Sequence, residues 1–73
     1  MIGQPLDTAR AHIWVTGRVQ GVGFRAFVAQ QAQSLGLTGW VRNVGYSQVE
    51  TVAEGRSETL ERFIDFVRRG PSA

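Results

Sequence analysis

Two stretches of this sequence carry residue types and spacing suited to holding an anion and a water molecule. They are Gln20-Gly21-Val22-Gly23-Phe24-Arg25 and Asn43. Two glycines let a backbone curl until several N–H groups point at one spot. The segment opens into a helical pattern, and a helix N-terminus adds free N–H groups and the positive end of a dipole. A cation in a first helical turn is misplaced by roughly 0.3–1 kcal/mol. Arg25 fits there if a bound anion lies between its guanidinium and the loop, since arginine offers phosphate a fork of donors. The competing reading is a surface arginine beside a tight turn, and spacing leaves both open. Asn43 can donate and accept at once, and so can hold a water in line with a bound phosphorus. It can equally be a turn-forming asparagine.

Elimination narrows the chemistry. The sequence has no cysteine and no lysine, so thiolate, Schiff-base and cysteine-zinc chemistry are excluded. Its one histidine, His12, lies in an alternating run and reads as a plain strand residue. The carboxylates Asp7, Glu50, Glu54, Glu58, Glu61 and Asp65 show no metal-ligand spacing with a histidine and read as solvated-face residues. No metal and no cofactor are expected. Gly21-Val22-Gly23-Phe24-Arg25-Ala26 formally fits a dinucleotide fingerprint, but the chain is too short for that fold and a hairpin follows in place of a crossover. Gly23-Phe24-Arg25-Ala26-Phe27-Val28 faintly matches an aromatic RNA-recognition motif. That motif belongs on a strand, and here the period is helical.

The elements that position these residues follow from periodicity. Residues 1–9 read as a loose arm and residues 10–73 as one domain. Ala11, Ile13 and Val15 alternate with His12, Trp14 and Thr16 in a half-buried strand, with Val19 continuing the inward set past Gly17. From Phe24 the period is helical: Phe24, Phe27, Val28, Ala32 and Leu35 form one stripe, and Gly36 caps it. Residues 37–43 and 48–54 form a hairpin around a turn at 44–47. Ser57 is the expected N-cap of a second helix, with Glu58 in its first turn. Leu60, Phe63, Ile64 and Val67 are its apolar stripe, and Arg68-Arg69 and Gly70-Pro71 end it. The order β-α-β-β-α is an α+β, ferredoxin-like split β-α-β sandwich: an antiparallel sheet with both helices on one face and the closing strand absent.

Composition bounds the class. Seventy-three residues, 42% hydrophobic and 19% charged, make one globular domain with a modest core. No run approaches the ~20 apolar residues of a membrane span, and the first residues do not read as a signal peptide. A cytoplasmic protein is expected. The net charge of +2 comes from eight arginines, scattered except for Arg68-Arg69. Such scatter argues against a nucleic-acid partner. A minor reading keeps RNA binding on an exposed sheet face with Trp14, Trp40 and Arg42.

Gly17-Arg18-Val19-Gln20-Gly21-Val22-Gly23-Phe24-Arg25 resembles the first signature of the acylphosphatases. Gly39-Trp40-Val41-Arg42-Asn43, followed by Val49-Glu50 and Gly55, resembles the second. The resemblance runs from about Ala11 to the end of the sequence. It implies hydrolysis of carboxyl-phosphate anhydrides, with an acyl phosphate as partner and inorganic phosphate as product and inhibitor. It also implies that Arg25 and the backbone N–H groups of residues 20–25 bind the phosphoryl group and that Asn43 positions water. Two departures stand out. Tyr46-Ser47 replace the family's usual Asp-Gly, which re-routes the turn through Gly45 and would shift Asn43. Relatives continue past Gly-Pro with a strand beside the first, so self-association through an open edge is expected here. The alternative to an enzyme is a catalytically silent anion-binding or partner-docking module.

Overall fold

The computed structural model describes residues 7–16 and 21–70. Alternation makes a strand of Thr8–Thr16 (β1), in which Ala11, Ile13 and Val15 are half-buried and His12, Trp14 and Thr16 exposed. The strand starts before Ala11 because its partner is longer than expected. Gln48–Arg56 (β3) runs on past Glu54 and pairs Thr8 with Arg56, Ala9 with Gly55 and Arg10 with Glu54. The end of the segment expected as an arm is therefore sheet. Asp7 is anchored too: its carbonyl accepts from the Ser57 backbone N–H and from Ser57 Oγ at 2.6 Å, and its carboxylate meets Arg56 at 3.2 Å. Residues 1–6 of that arm, and the expected strand continuation through Gly17 and Val19, lie outside the described residues.

The first helix, Gly21–Ser34 (α1), begins earlier than its apolar stripe. Gly21 and Gly23, expected in a loop, make its first turn instead. Glycine has no side chain to register in a periodicity, and its helical cost of ~1 kcal/mol is overridden by tertiary docking. Phe24 and Val28 are buried, with Phe27, Ala32 and Leu35 packed around them. Gly36 ends the helix at φ 72°. Leu37 N–H bonds to the Ala32 carbonyl at 2.9 Å and Gly36 N–H to that of Gln33 at 3.1 Å, a Schellman closure.

Thr38–Val44 (β2) and β3 form a hairpin whose three-residue turn, 45–47, passes through Gly45 at φ 66°. The ladder stays in register to the turn, with Val44 opposite Gln48 and Asn43 opposite Val49. Asn43 is therefore held in the sheet despite the altered turn. The second helix, Ser57–Arg69 (α2), has Arg56 rather than Ser57 at its N-cap position, with no side-chain cap. The Ser57 hydroxyl is committed to Asp7 instead. Gly70 closes α2 at φ 81°, its N–H bonded to the Phe66 carbonyl; Pro71 lies outside the described residues.

The sheet order is β1-β3-β2, with both pairings antiparallel. Among the described residues β1 and β2 are its edges. One face, carrying Ala11, Ile13, Val15, Val41, Val49 and Ala53, packs on Phe24 and Val28 of α1 and on Leu60, Phe63 and Val67 of α2. Phe63 is wholly buried at the centre, where truncation to alanine costs about 3–5 kcal/mol. The buried Thr51 hydroxyl on this face donates to the Trp40 carbonyl at 2.7 Å.

Gly39 is fixed by both conformation and space. Its φ is 142°, and a Cβ there would lie 1.8 Å from the Val52 carbonyl oxygen. A backbone neighbour cannot yield as a side-chain tip does. Gly39→Ala should lower stability by about 3 kcal/mol or more, from strain and strand displacement together. Urea unfolding measures it; a change under ~1 kcal/mol would contradict this geometry.

Candidate functional site

β1 and β2 run parallel on either side of β3, and Thr16 and Val44 share Gln48 as register partner. Both strands therefore end at the same edge of the sheet. The α1–β2 connection is short, from Ser34 to Thr38, so α1 packs back antiparallel to β2. Fourteen helical residues span ~21 Å, and seven strand residues span ~23 Å. The N-terminus of α1 thus reaches the end of the sheet where Asn43 sits. Because Asn43 pairs with core-facing Val49, its side chain stands on the face covered by the helices, and it is exposed.

At that N-terminus the N–H groups of Gly21, Val22 and Gly23 have no intrahelical acceptor. No acidic side chain occupies the first turn. Arg25 is the fifth helical residue, so it stands one turn further in than the sequence reading put it. Side chains on a helix lean toward its N-terminus. The residue one turn back is Gly21, which leaves the path of the guanidinium clear. Arg25 is exposed and has no hydrogen-bond or ion-pair partner among the described residues, and the same holds for Asn43. Phe24, expected among the phosphate-binding residues, has its ring in the core, and its N–H belongs to the first intrahelical bond of α1. Gln20 lies outside the described residues.

Gly23 has neither positive φ nor crowding: a Cβ built on it meets nothing within 4 Å. Neither backbone conformation nor packing accounts for a glycine in this helical turn. Among the described residues no group of three or more His, Asp or Glu side chains could hold a metal ion, and no helix is long and apolar enough to cross a membrane.

The opposite face of the sheet holds a cluster that the sequence reading missed. Glu50, expected on a solvated face, is 7% exposed. Its Oε1 accepts from Arg42 Nε at 2.9 Å and forms an ion pair with Nη2 at 2.8 Å, and its Oε2 lies 2.7 Å from His12 Nε2. His12, read as a plain strand residue, stacks on Trp14 at 4.0 Å and meets the edge of Trp40 at 6.1 Å. Arg42 lies over the Trp40 ring at 5.6 Å. Counting outward from a turn at 45–47, one residue shorter than the expected 44–47, pairs Arg42 with Glu50, and charges directly opposite on one sheet face meet.

A family model described as Acylphosphatase matches residues 11–73. An acylphosphatase of Methylococcus capsulatus is 53% identical over 62 residues, which are 85% of this chain and 67% of that relative. The structure of an acylphosphatase from Coxiella burnetii superposes with a TM-score of 0.85 at 37% identity, over 97% of this chain and 75% of that one. The Bacillus subtilis acylphosphatase gives a TM-score of 0.78 at 46% identity, over 84% of this chain and 68% of that one.

The Glu50 cluster has a consequence in acid. Hydrogen bonds from His12, then from Arg42, hold the Glu50 carboxyl below its ordinary 4.5 against the opposing effect of burial. The folded pKa is depressed, so this stabilisation is fully present above about 4.5 and is lost as pH falls through the folded value. Urea unfolding at about pH 7 and about pH 3.5 should show a larger acid loss in the parent than in Glu50→Gln. Equal losses would mean that the cluster does not stabilise the fold.

Proposed function

The chain belongs to the acylphosphatase family and hydrolyses acyl phosphates, and we propose that Arg25 and the free N–H groups of Gly21, Val22 and Gly23 bind the phosphoryl group while Asn43 holds the attacking water. The observation that carries this division of roles is the shared end of β1 and β2. It supports this reading by bringing the element that carries Arg25 and the strand end that carries Asn43, both without a partner among the described residues, to one edge of the sheet.

The chemistry suits such a site. Phosphoryl transfer is largely dissociative, so placement and charge stabilisation supply most of the rate. Arg25 spreads its donors over the equatorial oxygens, and the helix N-terminus adds fixed dipoles that need no reorganisation. The Asn43 amide carbonyl accepts from the water while its NH2 can donate to a phosphoryl oxygen, which aligns the nucleophile. The P–O bond to the acyl group breaks, and the carboxylate leaves with both electrons. The water's oxygen bonds to phosphorus, and its proton passes to the phosphate or to solvent. A carboxylate is a weakly basic leaving group and needs little help from a general acid. Phosphate monoesters, whose alkoxide leaves poorly, should be poor substrates.

Gly23 supports the same reading. A glycine in this turn costs up to ~1 kcal/mol against alanine with no structural return, but it lets an anion approach the backbone closely.

The test is phosphate release from benzoyl phosphate in the presence of a chelator. Arg25→Ala and Asn43→Ala should each lower turnover by about 100-fold or more while unfolding at the parent's urea concentration, since both side chains are exposed. A variant keeping full activity would remove that residue from the mechanism. Gly23→Ala should gain stability of up to ~1 kcal/mol and lose turnover. Gain without loss would show that the phosphoryl group does not approach this turn.

A further inference from the structure

Among the described residues outside the site just set out, the cluster on Glu50 is the arrangement of charged groups with a buried member, and it sits in the middle of the sheet. Glu50 lies on β3 in the row Trp14–Glu50–Arg42, one step from the row Val15–Val49–Asn43. Through Oε1 its carboxylate holds Arg42, the residue before Asn43; through Oε2 it holds His12 on β1, the strand that leads toward α1. One side chain therefore spans all three strands. Among the described residues it joins β1 and β2 through one shared carboxylate.

We propose that Glu50 is a positioning residue, with Arg42 and His12 as its two arms: the carboxylate clamps β1 to β2 and thereby sets Asn43 against the N-terminus of α1. This rests on the roles assigned above to Asn43 and Arg25. The burial of Glu50 makes the clamp stiff, because a nearly enclosed carboxylate has few alternative partners. An ionised carboxylate only accepts, so the His12 proton sits on Nε2. The rings of Trp14 and Trp40 flank the imidazole and the guanidinium and limit their rotation. The other charged groups on this face are Arg10 and Glu54, register partners two pairs along the ladder from His12 and Val52, and Arg56, opposite Thr8 at the end of the ladder. Phosphate binding uses α1 alone, whereas attack needs α1 and β2 in register. Loosening the clamp should therefore lower kcat and leave phosphate affinity intact. A displacement of about 1 Å at the nucleophile is enough for a loss on the order of 100-fold.

The experiment compares Glu50→Gln, Arg42→Ala and their double variant with the parent. It reads kcat on benzoyl phosphate, inhibition by inorganic phosphate, and the folded fraction from urea unfolding. The expected result is a fall in kcat of about tenfold or more per folded molecule, with the phosphate inhibition constant within about twofold, and a double variant no worse than the worse single one. A parent-like kcat in both singles, or a parallel loss of kcat and phosphate affinity, would overturn the clamp. So would additive losses. Should Glu50→Gln not fold, the exposed Arg42→Ala decides on the same criteria. Asn43→Ala separates the two levels. If it keeps its turnover, the mechanism fails and the clamp's role with it; if it loses turnover while Arg42→Ala and Glu50→Gln keep theirs, the clamp alone fails.

Discussion

β1 and β2 share no backbone pairing; each is laddered to β3, and they meet only through side chains such as the rings of His12 and Trp40. The backbone register between the strand that leads to α1 and the strand that carries Asn43 therefore passes through β3, while α1 also packs directly on β2. β3 is built for this. Residues 49–53 are buried without interruption, so a strand of an antiparallel sheet has both faces covered. Val49, Thr51 and Ala53 meet the helices, while Glu50 and Val52 are enclosed by side chains of the neighbouring strands. A one-residue slip would carry Glu50 into the apolar core, at a cost no hydrophobic gain on the other face could offset. The same alternation that hides Phe63 and Val28 against the sheet thus fixes which residue of β2 stands beside the N-terminus of α1.

The fold was legible where periodicity and docking agree. Phe24, Phe27, Val28, Ala32 and Leu35 on one helix and Leu60, Phe63, Ile64 and Val67 on the other declare their faces by spacing. The structure packs these faces as expected, with Ile64 at the margin. Gly36 declares its cap because few other residues tolerate a positive φ there. The element ends were less legible, each for a local reason. Gly21 and Gly23 carry no side chain to extend the stripe, so the first turn of α1 is invisible to periodicity. Ser57 has the chemistry of a cap, but a carbonyl fifty residues away takes its hydroxyl, a contact that no local rule contains.

The candidate site divides along the same line. Arg25, Asn43 and the glycines could be singled out from residue type and from the resemblance, because two glycines at the entry of a helix followed by an arginine form a contiguous pattern in sequence. The Glu50 cluster could not, because its partners stand 8 and 38 residues away. A lone glutamate in an alternating strand has the pattern of a solvated residue. Only the three-residue turn at 45–47, followed outward pair by pair, brings Arg42 opposite it, and only the pairing of β1 with β3 adds His12.

The two layers differ in what they demand of pH and solvent. The proposed phosphoryl site consists of a guanidinium, an amide and backbone N–H groups, none of which changes charge in the range where proteins are folded. Such a site suits a substrate whose leaving group needs no proton, and it has no acid or base to keep poised. Glu50 and its partner His12 stand on the other face of the sheet, where they hold strands rather than touch the reacting atoms. This placement keeps the Glu50 carboxylate off the face that carries Asn43. It also makes the geometry of that site depend on a carboxylate whose His12 and Arg42 hydrogen bonds keep it ionised below the usual range. The clamp therefore stays charged into acid conditions in which an ordinary surface glutamate would have released its partners.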